Sequence, residues 1–152
     1  MGHEFLDGES VLAFDLETTG ISTNTDRIVQ IALIGSNSTG DTVHYETLVN
    51  PRRPIPPGAS GVHGIFDSDV KGEQDFRHHA DEIHRLIENS VVVGHNIRKF
   101  DMPLLENEFR RIGRLPPKPK AMMDTLEIVR RVKLGRPHNL GSLCRRHGIS
   151  LD

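Results

Sequence analysis

The sequence predicts an α/β fold in which a mixed five-stranded sheet, three antiparallel meander strands plus two parallel ones, is flanked by helices. Three observations predict it. Segments Val11 to Thr18, Arg27 to Gly35 and Thr42 to Val49 follow one another with short polar connections, as in an antiparallel meander. From residue 75 onward, helical and strand periodicities alternate, the order expected of parallel strands joined by helices. At 152 residues, with 36% hydrophobic and 26% charged side chains, the chain has the size and composition of one globular domain.

Each element has a local reason. In the first strand, V-L-A-F is apolar on consecutive residues, which predicts cover on both faces. Alternation still places Asp15 and Glu17 on one face, with Leu12, Phe14 and Leu16 on the other. A loop containing Gly20, Ser22, Asn24 and Asp26 leads to the second strand. After the third, P-R-R-P-I-P-P-G-A-S-G reads as a rigid loop. Between Asp75 and Asn89, Phe76, Ala80, Ile83 and Ile87 form one apolar helical stripe. V-V-V-G then reads as a short buried strand, and Met102, Leu105, Phe109 and Ile112 mark a second helix that ends near Gly113. The loop R-L-P-P-K-P-K leads to A-M-M-D, a last short strand, and to helices near 125–133 and 139–146.

Composition narrows the function. The start, M-G-H-E-F-L-D, has no basic region followed by an apolar run, and no stretch approaches the length of a membrane span. Cys144 is the single cysteine, so no internal disulfide exists. A cytoplasmic protein with no membrane partner is expected. Net charge is −2, unevenly spread: residues 1–97 hold 6 Lys/Arg against 15 Asp/Glu, residues 98–152 hold 13 against 6. A basic half beside an acidic half suits a phosphate-bearing ligand near bound cations, although solvated helix surface explains charge of this kind as well.

The chemistry centres on F-D-L-E-T-T-G, residues 14–20. Two carboxylates at the carboxyl end of a buried strand stand where open α/β sheets place ligands, and a hard divalent cation would offset their mutual repulsion. A D-x-E pair alone more often marks a solvated strand face. Asp101 adds to it, because V-V-V-G-H-N-I-R-K-F-D follows a second buried strand and opens a helix; a parallel neighbour of the first strand would bring Asp101 toward Asp15 and Glu17. Asp101 also has the position of a helix N-cap, with Pro103 in the first turn. Other candidates are weaker. His78, His79 and His84 flank an apolar stripe without acids or cysteines around them, Asp124 suits a helix cap, and Cys144 lies with Leu140 and Leu143 as core.

These motifs resemble the DEDD exonucleases, in particular the group that includes the proofreading epsilon subunit of bacterial DNA polymerase III. F-D-L-E-T-T-G is similar to the family's first motif, and V-G-H-N-I-R-K-F-D to its second. I-P-P-G-A-S-G-V-H-G-I (55–65), M-D-T-L-E (123–127) and N-L-G-S-L-C-R-R-H-G-I (139–149) resemble further segments of it. The resemblance implies a ribonuclease-H-like fold and 3′-to-5′ release of nucleotides, with Asp15, Glu17 and Asp101 as catalytic acids holding two Mg²⁺ or Mn²⁺ ions. It implies that Thr18, His63 and Phe100 hold the terminal nucleotide, although His63 also suits a turn-stabilising role. The 3′ end of single-stranded DNA is the implied partner, in a proofreading or repair setting that suggests a polymerase subunit. Nothing in the residues distinguishes DNA from RNA, so an RNA-trimming enzyme of the same fold stays open, as does a non-catalytic nucleic-acid-binding module.

H-G-I-S-L-D (147–152) has the spacing of the family's third motif, a general-base histidine and a fourth acid. His147 and Gly148, however, belong to L-C-R-R-H-G-I, which in the family precedes that motif. The expectation is one exonuclease-like domain over 1–152 whose third motif and catalytic helix lie beyond Asp152.

Overall fold

The computed structural model describes residues 8–135. Strands β1 (Val11–Thr18), β2 (Ile28–Ser36) and β3 (Thr42–Leu48) come first, then helices α1 (Pro57–His63), α2 (Asp67–Val70) and α3 (Phe76–Ile87). Strand β4 (Val91–Gly94) runs through a π-helical turn, Ile97–Asp101, into α4 (Met102–Arg111); β5 (Ala121–Asp124) and α5 (Thr125–Gly135) follow. The sheet has the order β3-β2-β1-β4-β5. Its β1–β2 and β2–β3 pairs are antiparallel and its β1–β4 and β4–β5 pairs parallel, as the sequence predicts. The expected helix at 139–146 lies outside the described residues, and no helix among the described residues is long and apolar enough to cross a membrane.

Alternation in β1 builds the core. Leu12, Phe14 and Leu16 are 0%, 2% and 5% exposed, and join Ile31 and Leu33 of β2 and Val92 of β4 on one face. The α3 stripe Phe76, Ala80, Ile83 and Ile87 covers that face together with Met102, Leu105 and Phe109 of α4. Phe76 and Phe109 meet edge to face with ring centroids 5.0 Å apart. Full burial of each large side chain here contributes about 1.5–3 kcal/mol.

Two expectations are corrected. Ala13 and Asp15 are exposed, so among the described residues β1 is covered on one face and not on both. The consecutive apolar letters of V-L-A-F misled because α3 and α4 both pack against the Leu12 side, while Ala13 is paired across the sheet with Ile34, which is 39% exposed. The proline-rich segment is not a loop throughout, because it contains α1 and leads into α2. Pro57 occupies the first helical position, where an absent N–H costs nothing, and Gly64 ends the helix at φ 74°, donating its N–H to the Ser60 carbonyl. Ile55, Ile65 and Val70 from this segment close a second small core with Val29.

Candidate active site

Asp101 is brought to the backbone between the other two acids named from the sequence, Asp15 and Glu17. Strand β4 runs parallel to β1 with Val93 opposite Ala13. At the next residue a side chain would collide: a Cβ on Gly94 would lie 2.5 Å from the Phe14 carbonyl oxygen and 2.4 Å from Ile97 Cγ2. Asn96 then takes a left-handed conformation (φ 59°), and the π-helical turn carries Asp101 against β1. Asp101 is 5% exposed, and its Oδ2 accepts a 3.0 Å hydrogen bond from the Leu16 N–H, the amide between Asp15 and Glu17. It does not cap α4. Its backbone is already helical (φ −60°, ψ −47°) and its side chain makes no capping bond, because the π-helical turn merges into α4 without a break.

Charge at this spot is unbalanced. Among the described residues none of the three carboxylates forms an ion pair. Burial pushes Asp101 up to about 7, with Asp15 and Asp124 adding to the rise and the Leu16 N–H opposing it. Asp15 is exposed as a residue, but partial desolvation of its carboxyl raises it as well, against the pull of the Leu16 N–H. Glu17 is raised by burial and then by Asp15, while His63 draws it down. Three oxygen-donor acids that disfavour their own ionisation fit a hard divalent cation, which takes a few carboxylates plus water. They are neighbours without forming a closed shell: among the described residues no three His, Cys, Asp or Glu side chains already converge on one point.

Thr18, His63 and Phe100 line a groove of about 460 Å³ beside these acids, together with Glu17, Ile21 and Val62. His63 closes α1, and its Nδ1 accepts from the Ile65 N–H (3.1 Å), which leaves Nε2–H to donate to the Thr18 carbonyl at 2.9 Å. The imidazole therefore ties α1 to the end of β1. The Thr18 hydroxyl donates to the Gly20 carbonyl (2.7 Å), so Thr18 shapes the turn. Phe100 is partly buried against the main core.

Sequence reasoning missed the groove's rim. Ile21 and Val62 are 93% and 87% exposed. Their signal was two isolated apolar residues, each preceded by a glycine (Gly20 and Gly61), with no periodic partners to bury them. It also understated Asp124. This residue caps α5 as expected, Oδ1 accepting from Leu126 N–H at 3.0 Å, but it also accepts from Asn96 N–H (2.8 Å) and Arg98 N–H (3.1 Å) and so fixes the turn that carries Asp101. The remaining candidates lie elsewhere. His79 Nδ1 pairs with the Tyr45 hydroxyl at 2.6 Å, and His84 packs edge-on to Phe109. Cys144, His147 and Asp152 lie outside the described residues.

A family model described as Exonuclease (RNase T) matches residues 12–152. The chain is 35% identical over 96% of its length to a DNA polymerase III subunit epsilon-like protein of Rhodobacter capsulatus, and 31% identical over 96% to DNA polymerase III PolC-type of Halalkalibacterium halodurans. It is 32% identical over 91% to the 3′-5′ exonuclease DinG of Staphylococcus epidermidis. It spans 21%, 10% and 15% of those three proteins respectively. Escherichia coli exonuclease I, in a crystal structure with a dT13 oligonucleotide, superposes over 86% of the chain and 31% of its own length with a TM-score of 0.73 at 24% identity. That superposition shows the ribonuclease-H-like fold. With the family match running from the second residue of β1 to the last residue of the sequence, the chain belongs to the RNase T exonuclease family.

Proposed function

We propose that this domain hydrolyses phosphodiester bonds at the 3′ end of DNA, one nucleotide at a time, in proofreading or repair. The observation that supports the reading is the hydrogen bond from the Leu16 N–H to Asp101, which brings a buried acid to the backbone between Asp15 and Glu17, the latter lining the groove of about 460 Å³. Asp15, Glu17 and Asp101 would hold two divalent ions, Mg²⁺ or Mn²⁺. Such ions activate water on one side of phosphorus and stabilise the leaving oxygen on the other.

The chain's own groups do the rest. Phe100 offers an aromatic surface for a sugar or base, and Ile21 and Val62 close over the apolar groove. His63, held by Thr18 and Ile65, keeps the wall of α1 at a fixed distance from Glu17. The general-base histidine and fourth acid that the resemblance implies fall outside the described residues. The names of the relatives support DNA as substrate and a polymerase as partner, and a cytoplasmic location fits both. In the full chain, Asp15→Ala or Glu17→Ala is expected to abolish Mg²⁺-dependent shortening of a 5′-labelled single strand; undiminished shortening refutes the reading. Faster shortening of RNA than of DNA of the same sequence would replace the DNA assignment with an RNA-trimming one.

A further inference from the structure

A second cleft, of about 290 Å³, includes Arg27 at the β2 end of the β1–β2 connection in its lining, whereas the groove includes Thr19 at the β1 end. Its lining is cationic, with Arg27, Arg52, Arg77 and Arg111 facing Asp75 and Glu108. One residue pair links the two linings. Thr19, in the wall of the groove, donates its N–H to the Arg27 carbonyl (2.9 Å), and the Thr19 hydroxyl accepts from the Arg27 N–H (3.0 Å). The connection itself is pinned. Asp26 accepts from the Thr19 hydroxyl and the Ser22 N–H, both at 2.8 Å, and Arg111 donates to the Asn24 and Asp26 carbonyls at 3.1 and 3.2 Å.

The two acids in the cleft are already engaged. Asp75 accepts from Arg52 Nε at 3.3 Å. Glu108 divides its oxygens between Arg111 (3.0 Å) and the Ile28 N–H (2.9 Å). Arg27 is left over: its Nε is buried and has no hydrogen-bond partner, an arrangement that costs about 1–3 kcal/mol unless something accepts from it. Burial first, then Arg111 and Arg53, draw its guanidinium below the usual arginine range, and Glu108 opposes them. Helix α3, 12 residues long, begins at this cleft, and the side chain of its N-cap Asp75 makes no capping bond, so the positive end of the helix dipole adds to the field. A phosphate is the acceptor these groups fit, since guanidinium pairs with it in fixed two-point geometry.

We propose that this cleft is a second nucleic-acid site, in which Arg27, Arg52 and Arg77 hold a backbone phosphate of the strand away from its reacting end. The phosphate chemistry follows from the cleft; taking the phosphate to be part of a polynucleotide rests on the nuclease reading. Binding of a fluorescent oligothymidylate, measured in chelator over a range of salt, tests it without turnover. Arg27→Gln and Arg77→Gln each weaken long-strand binding about tenfold at low salt and flatten the slope of log affinity against log salt by about one. Arg77→Lys keeps the slope, and dithymidylate binding does not change. Unchanged slopes in both Gln variants overturn the proposal, as does an equal loss of dithymidylate binding, which would place the effect in the groove. If inorganic phosphate raises the melting temperature of the parent protein as much as the strand does, and Arg27→Gln abolishes both effects, the polynucleotide assignment is overturned in favour of free phosphate. Arg77 is exposed, so Arg77→Gln decides the matter should Arg27→Gln fail to fold. The two readings fail separately: a flattened slope together with an Asp15→Ala protein that still shortens strands removes the nuclease reading and leaves the cleft.

Discussion

Asp101 and Asp124 are neighbours, almost equally buried at 5% and 4% exposed, yet they respond to burial in opposite directions. Asp101 rises to about 7, since one backbone N–H from β1 cannot offset burial and a second carboxylate nearby. Burial pushes Asp124 upward too, but the N–H groups of Arg98, Asn96, Leu126 and Glu127 outweigh it and hold the group below its ordinary value. Burial alone therefore does not say what an acid does. Asp124 is a satisfied anion that organises backbone, whereas Asp101 is an unsatisfied one that a cation would complete.

Substitution should separate the two. Asp101→Asn is expected to lower metal-dependent strand shortening by about three orders of magnitude, the several kcal/mol that a bound cation contributes to stabilising charge in the transition state. In chelator at pH 8 the same change should leave thermal stability equal or higher. A less stable Asp101→Asn protein would show that this carboxylate, like Asp124, is structural.

The next largest effect is on pH. With its folded value raised above 3.8 to about 7, Asp101 keeps a proton that the unfolded chain has already released. The unfolded state then binds fewer protons, so stability falls as pH rises through that window, by at most about 1.4 kcal/mol per pH unit. Thermal melts in chelator between pH 5 and pH 7 should show this decline, Asp101→Asn should flatten it, and Mg²⁺ should stabilise more at pH 8 than at pH 5. The smallest effect belongs to Asp124, whose depressed value works with the opposite sign: its contribution is present at neutral pH and is lost in acid. Asp124→Asn is expected to cost about 2 kcal/mol, or about 4–8 °C in melting temperature, by weakening the bonds to Asn96 and Arg98. A loss of shortening larger than this loss of stability would mean that Asp124 acts on the reaction through the turn it holds.

The contrast between these acids was only half legible in the sequence. Strong periodicity gave the strands and the helices α3 and α4, because alternation and the helical stripe both record which side chains leave water. Asp15 and Glu17 were legible for the same reason. The approach of Asp101 followed from strand order, but its orientation did not, since neither the π-helical turn nor the left-handed Asn96 has a periodic signature. Helix α1 was hidden by the very prolines that start it. The second role of Asp124 and the arginine cleft depend on contacts between residues 26 and 80 positions apart, which no local pattern encodes.

The strand that carries Asp15 and Glu17 is also the middle one of the five, paired with β2 along its whole length and with β4 over Val11–Ala13. Amides in such a position exchange with solvent only when the whole sheet opens, so the first two acids belong to the last part of the molecule to melt. Loss of activity on heating and global unfolding should then coincide, with no warm interval in which a folded but locally frayed protein has lost its chemistry.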